Sequence, residues 1–323
     1  MASKTSPSND HSLVLEFPKT LMRGVGQVMF QDNAWTGLLF MIGIFWGAYA
    51  EGSPLVGWGA LVGVIVSTLS GYFLDLKDDN GAQGLWGFNG VLVGCAFPTF
   101  LGNTVWMWLA LILCAAMTTW LRSGMNAIMG RWGISSFTFP FVFGTWIFLL
   151  AARQFTGMPD TGMGTPELTS HIVPAIGMGV GDLVIYWLKG IAQVFLINNW
   201  VTGIFFLVAL AVSSIRAAVW AAVASAISLF IAIVFQGPGA NIAEGLYGFS
   251  AVLTGIALGA TFCNFSWKST IWAILGIIAT VFVQAGMNSF FEPLGLATLT
   301  GPFCLTTWIF LFPAYKMFAP KQP

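Results

Sequence analysis

Gly84-Leu85-Trp86-Gly87-Phe88-Asn89-Gly90-Val91-Leu92-Val93-Gly94 returns as Gly245-Leu246-Tyr247-Gly248-Phe249-Ser250-Ala251-Val252-Leu253-Thr254-Gly255, from 84 to 245 a separation of 161. Both copies set an aromatic residue, a glycine and a phenylalanine in one frame inside an apolar run. Two unrelated membrane helices would share much of this composition, so the block alone does not decide. Further echoes do. Gly24-Val25-Gly26-Gln27-Val28-Met29-Phe30-Gln31-Asp32-Asn33-Ala34-Trp35-Thr36-Gly37 aligns with Gly190-Ile191-Ala192-Gln193-Val194-Phe195-Leu196-Ile197-Asn198-Asn199-Trp200-Val201-Thr202-Gly203, from 27 to 193 a separation of 166. Gly124-Met125-Asn126 aligns with Gly286-Met287-Asn288, and Phe137-Thr138-Phe139-Pro140-Phe141 with Leu299-Thr300-Gly301-Pro302-Phe303, both at 162. Four blocks in one order at nearly one separation mark an internal duplication.

Composition sets the solvent of that duplication. Of 323 residues, 57% are hydrophobic and only 7% charged, against about 25% charged in a soluble domain. The chain reads as an all-α polytopic membrane protein with short aqueous loops. Twelve Lys+Arg balance twelve Asp+Glu, so no basic field points to nucleic acid or an anionic substrate. Residues 1–20 are polar, with no small-residue cleavage site ahead of the first apolar run, and no secretory signal is expected. Cys95, Cys114, Cys263 and Cys304 sit in apolar runs without CxxC spacing, which favours buried free thiols over a metal or redox site. His11 and His171 fall in the N-terminus and in a loop, so a histidine proton relay or metal site is not expected.

Hydropathy divides the chain into a polar N-terminal segment 1–16, a first membrane repeat 17–153, a linker 154–180, a second membrane repeat 181–317 and a tail 318–323. In the first repeat, 17–32 is too short and too interrupted by Lys19 and Arg23 to span, because a spanning helix needs about 20 mostly apolar residues. Its apolar part, around Gly24–Phe30, reads as a half-spanning helix. Spans follow at 34–50, 54–75, 84–101, 104–121 and 137–153. The second repeat gives a short stretch at 186–199, then spans at 200–214, 216–236, 245–263, 268–286 and 301–317. Five transmembrane helices plus one half-spanning helix per repeat is an odd number of crossings, so the second copy enters from the opposite face. Two inverted repeats place a pathway at their interface near the midplane. The basic residues Lys4, Lys19 and Arg23 before the first span put the N-terminus in the cytoplasm under the positive-inside rule.

A polar side chain in hydrocarbon costs several kcal/mol unless paired or lining a cavity, so duplicated polar positions mark the pathway. These are Gln27/Gln193, Asn33/Asn199, Asn126/Asn288 and Thr138/Thr300, and none is ionisable. An uncharged lining fits a neutral solute and a passive route, since an ion would need rings of charge or carbonyls. Phe30/Leu196, Phe88/Phe249 and Leu92/Leu253 are the apolar pairs beside them. Phe88 and Leu92, like Phe249 and Leu253, are four apart and share a helix face, forming a slot for a flat molecule. Thr138 and Thr300 precede Pro140 and Pro302 by two residues, where a proline frees backbone carbonyls. On the half-helices of Gln27 and Gln193, free N-terminal N–H groups are expected to polarise a bound carbonyl.

With these residues in place, the chain resembles the urea transporter family. The resemblance rests on Gly84–Gly94, the block around Gln27 and Phe137-Thr138-Phe139-Pro140-Phe141, and runs from about 17 to 317 in both repeats. It implies a multi-pass protein of the cell membrane, assembled in lipid as a homotrimer with one pore per protomer. Urea would cross by facilitated diffusion along a phenylalanine slot with an oxygen ladder. It implies one mouth at Gln27, Phe30, Phe88 and Leu92, the other at Gln193, Leu196, Phe249 and Leu253, and a constriction between Val28, Val194, Thr138 and Thr300. Ile134-Ser135 and Leu296-Ala297 depart from the family's Leu-Pro, and Gly301 replaces the bulky residue of Phe139; this leaves open the choice among urea and other small amides. Paired pore histidines of an ammonia channel, Asn-Pro-Ala half-helices of a water channel, and the nucleophile–base or metal constellation of an enzyme are all missing from the spans. No catalytic residue, metal or cofactor is assigned. An ion-coupled secondary transporter of another small neutral polar solute is the alternative.

Overall fold

The computed structural model describes residues 10–74, 76, 80–167, 173–174 and 177–317. The N-terminal half holds α1 (Asp10–Gln27), α2 (Ala34–Ala50), α3 (Leu55–Phe73), α4 (Phe88–Phe100), α5 (Val105–Met129) and α6 (Phe139–Ala152). The C-terminal half holds α7 (Val180–Ala192), α8 (Trp200–Ser213), α9 (Ile215–Val234), a one-turn α10 (Gly239–Ala243), α11 (Phe249–Ile256), α12 (Trp267–Phe291) and α13 (Gly301–Met317). A π-helical turn, Ala257–Thr261, extends α11. No strand forms among the described residues. α3, α5, α9 and α12, the second and fourth with a short 3-10 extension, are long and apolar enough to cross a bilayer alone. α7 and α8 form a pair bent by 71°. The chain is an all-helical, multi-pass membrane protein.

Several expected boundaries move. α4 begins at Phe88 rather than 84 and has 13 residues, about 20 Å of helix against roughly 30 Å of hydrocarbon. The reason is glycine: Gly84 has φ 83° and its equivalent Gly245 has φ 73°, a left-handed pose that a helix cannot continue through. Each lies against the α1 or α7 backbone, Gly84 on Gly24 and Gly245 on Gly190, with no room for a Cβ. Accordingly α11 begins at Phe249 rather than 245. The expected span 104–121 is too short, because α5 runs on to Met129 and carries Arg122 inside it. α1 starts at Asp10, so part of the polar segment 1–16 is helical, while 1–9 lies outside the described residues. The tail 318–323 and His171 also lie outside them. α10 was not anticipated; α7 starts six residues before the expected 186.

Equivalent local devices recur in the two halves. Asn33 caps α2 by accepting from the Trp35 and Thr36 N–H groups, and Asn199 caps α8 by accepting from those of Val201 and Thr202. Such a cap is worth about 1 kcal/mol. Where the halves meet, hydrogen bonds are reciprocal. Thr36 Oγ1 donates to the Ala209 carbonyl at 2.8 Å, and Thr202 Oγ1 donates to the Gly43 carbonyl at 2.9 Å. Position 36 thus pairs with 209 and 43 with 202, so α2 and α8 run antiparallel. Between them Phe40 packs on Phe206, ring centroids 5.1 Å apart, with both rings fully buried. α6 and α13 repeat the pattern: Trp146 Nε1 donates to the Ala297 carbonyl at 2.9 Å and Trp308 Nε1 to the Ser135 carbonyl at 3.0 Å.

Candidate functional site

Gln27 closes α1, and Gln193 follows the last residue of α7. Both therefore sit at a helix C-terminus, and the N-terminal N–H groups expected beside them lie at the other end of the helix. The last carbonyls of α1 are taken up by the turn that follows, those of Val25, Gly26 and Gln27 accepting from the Val28, Met29 and Phe30 N–H groups. Each glutamine amide is fixed in the same way. Gln27 Nε2 donates to the Gln83 carbonyl at 2.9 Å, and Gln193 Nε2 to the Glu244 carbonyl at 3.0 Å. The loop ahead of α4 or α11 is thereby tied to the end of α1 or α7, beside Phe88 or Phe249.

Val28 and Val194 are buried in the tight turns that follow, and Phe30 and Leu196 end those turns with φ of 62° and 58°. Left-handed backbone costs an ordinary residue about 1–2 kcal/mol, so each turn is held by its surroundings. The Phe30 and Leu196 N–H groups each donate back to the glutamine carbonyl at 3.0 Å. Phe88 and Phe249 are the first residues of their helices. Leu92 and Leu253 lie one turn on and are fully buried.

Thr138 and Thr300 meet directly, Oγ1 to Oγ1, at 2.6 Å across 162 residues, both buried. Their neighbours explain the reach. Phe137 and Leu299 have φ of 50° and 51°, which turns the chain just before each threonine. Thr138 is the N-cap of α6, but its side chain makes no capping bond and points across to the other half. Pro140 and Pro302 are the second residues of α6 and α13. They start helices rather than kink them, at a position where no intrahelical N–H is lost. Equivalent residues of the two halves thus meet in a buried hydroxyl pair that carries no charge.

Four residues beyond the sequence expectation bear on this site. Cys304 Sγ lies 3.4 Å from Thr138 Oγ1. Arg122, 5% exposed, sets its guanidinium carbon 5.7 Å from the Phe88 ring centroid, a cation–π distance. Asn89 Oδ1 accepts from the Phe141 N–H at 3.1 Å and so satisfies the start of α6. Phe262 joins Phe30, Phe137 and Phe303 in one aromatic cluster, with centroids 5.4–6.2 Å apart. Cys304 sits one turn after Thr300 on α13, a signal open to helical-periodicity reasoning. Arg122 stood one residue beyond the span assigned to it.

All four cysteines are free and buried. The described residues hold no group of three His, Cys, Asp or Glu side chains placed to bind a metal. A groove of about 650 Å³ lined by Met41, Ile42, Phe45, Trp46, Tyr49 and Ala50 touches none of the candidate residues.

Comparison with known proteins was made against this geometry. The urea transporter family profile matches residues 19–315. Urea transporter 1 of Ovis aries is 29% identical over 306 residues, covering 94% of this chain and 78% of that protein. Urea transporter 1 of Mus musculus is 27% identical over 308 residues, with the same shares covered.

Proposed function

Because the chain belongs to the urea transporter family, we propose that it carries urea, and related small amides, passively across the cell membrane through a channel between its two halves. The observation that carries the reading is the Thr138–Thr300 hydroxyl pair, where equivalent residues of the two halves bond each other in a buried, uncharged setting. Reciprocal bonding supports the inverted-repeat architecture, with 17–153 and 181–317 as its units. A two-fold axis requires that if residue i meets j, the equivalent of i meets the equivalent of j, and the α2–α8 and α6–α13 bonds obey this. Antiparallel pairing of equivalent helices is what an axis in the membrane plane would give.

On this reading Gln27, Phe30, Phe88 and Leu92 form one mouth, and Gln193, Leu196, Phe249 and Leu253 the other. Val28, Val194, Thr138 and Thr300 form the constriction. The phenylalanines select for a flat solute while water is stripped away. The glutamine Oε1 atoms and the threonine hydroxyls accept its N–H groups. Each net hydrogen bond is worth about 0.5–1.5 kcal/mol, enough to offset dehydration without trapping the solute. Urea replaces the threonine–threonine bond as it passes, so opening exchanges one hydrogen bond for another. Family membership and this uncharged constriction both weigh against ion coupling. The proposal includes a homotrimer with one pathway per protomer, which light scattering on the purified protein tests by mass.

The test is stopped-flow light scattering on proteoliposomes. Urea flux well above that of protein-free vesicles, unchanged when sodium and proton gradients are collapsed, is the expected result. Flux equal to that of protein-free vesicles, or lost with the gradients, would overturn the reading.

A further inference from the structure

The threonine pair has a third member. Thr138 Oγ1 lies 2.6 Å from Thr300 Oγ1 and 3.4 Å from Cys304 Sγ, with either atom of each pair able to donate. Cys304 is fully buried, as are the threonines to within a few per cent. At the equivalent position of the first half stands Val142, also fully buried. Both occupy the same backbone place, the Val142 N–H donating to the Thr138 carbonyl and the Cys304 N–H to the Thr300 carbonyl, each at 3.1 Å. The sulfur is therefore a departure from the repeat, confined to one side of the constriction.

That departure bears on opening. With the hydroxyls in contact no solute fits between them, so passage requires them to part. A hydroxyl left without a partner in a buried site loses more than a net hydrogen bond is worth, and a solute bonded to Thr300 alone would leave Thr138 in that state. We propose that Cys304 is a positioning residue of the constriction: its thiol takes over the Thr138 hydroxyl whenever the threonine pair separates. Thr138 then stays paired and oriented while urea engages Thr300, and the parted state becomes accessible at the small cost of exchanging an oxygen partner for a softer sulfur one. The thiol acts through Thr138 and need not touch the solute. This inference rests on the urea reading above.

Two substitutions separate this role from packing. Cys304→Ala removes the polar atom, and Cys304→Ser keeps a donor and acceptor at nearly the same volume as alanine. In proteoliposomes, Cys304→Ala should lower urea flux about five-fold, the scale of one net hydrogen bond, while Cys304→Ser stays within about two-fold of wild type. A packing role lowers both alike, since the two side chains are almost equal in size. A second readout needs no transport: the wild-type minus Cys304→Ser infrared difference spectrum isolates the Cys304 S–H stretch, which should shift when Thr138 is replaced by valine. Normal wild-type flux with Cys304→Ala at or above Cys304→Ser, or an S–H band indifferent to Thr138→Val, would overturn this proposal alone. Wild-type flux no faster than protein-free vesicles would overturn the urea reading and this proposal together.

Discussion

Phe30 and Leu196 hold one backbone pose, with φ of 62° and 58°, in different company. Phe30 stands edge-on or tilted against Phe137, Phe262 and Phe303. The equivalents of those three residues are Leu299, Leu101 and Phe141, two of them aliphatic. Other pairs diverge in the same direction. Arg122 caps the Phe88 ring, whereas its equivalent Gln284 donates to Asn288 Oδ1 at 2.9 Å and Thr298 Oγ1 at 2.6 Å. Asn89 bonds the start of α6, whereas the Oγ of its equivalent Ser250 is buried without a hydrogen-bond partner. Two sets of bonds between the halves, by contrast, match pair for pair: those of Thr36 and Thr202, and those of Trp146 and Trp308. The reciprocal bonds sit where helices of both halves pack on each other, so a change at one position disturbs both halves, whereas the two ends pack different side chains around one backbone pose.

Substitutions at matched positions can break this comparison. The largest effects belong to Gly37 and Gly203, where an added Cβ would meet the backbone carbonyls of Met22 and Leu188. Valine at either should cost about 3 kcal/mol or more, because backbone cannot step aside as a side chain can. Thermal unfolding in detergent should show both variants damaged alike; tolerance at one position alone would break the equivalence. Next come Asn89→Ala and Ser250→Ala. The first orphans a buried backbone N–H and should lower stability by about 1–3 kcal/mol, while the second removes an unpartnered hydroxyl and should be neutral. Equal losses would show that the asymmetry seen here carries no energy.

Phe30→Leu makes the first end resemble the second. It gives up aromatic edge contacts worth about 0.5–1.5 kcal/mol each beyond burial, and should lower the melting temperature more than any change produced by Leu196→Phe. Reversal of that order would mean the aromatic cluster is under strain. The smallest effect expected is that of pH. Gln27, Gln193, Thr138 and Thr300 carry no titratable group, so urea flux should vary less than about two-fold between roughly pH 5 and pH 8. A steep pH profile would point to an ionisable group controlling the route.

Much of this was legible from the chain. The duplicated blocks named residues that the structure brings into matched places, Thr138 with Thr300 above all, because a repeat exposes equivalence without any knowledge of contacts. Hydropathy could not place the start of α4, since Gly84 and Gly87 look apolar in a window whether the backbone is helical or left-handed. Nor could it say which end of α1 carries Gln27, because the helix begins in the polar residues from Asp10 that hydropathy leaves out of it. The positive φ of Phe137 and Leu299 leaves no mark in composition, so Pro140 and Pro302 read as kinks rather than helix starts. Cys304 passed as a buried hydrophobe, which it also is. Only the meeting of α6 and α13 shows the hydroxyl beside it.

The central claim is that the two halves close one pathway through a single hydroxyl pair, and a double-mutant cycle on urea flux tests it most directly. Thr138→Val, Thr300→Val and the double variant would be reconstituted and compared with wild type in one stopped-flow series. Because each hydroxyl is the other's partner, the account predicts that each single variant slows urea by about ten-fold, a change of roughly 1.4 kcal/mol. The double variant should be little slower than either, with a coupling of about the same size. Two independent effects that simply multiply, or single variants that leave flux untouched, would contradict it.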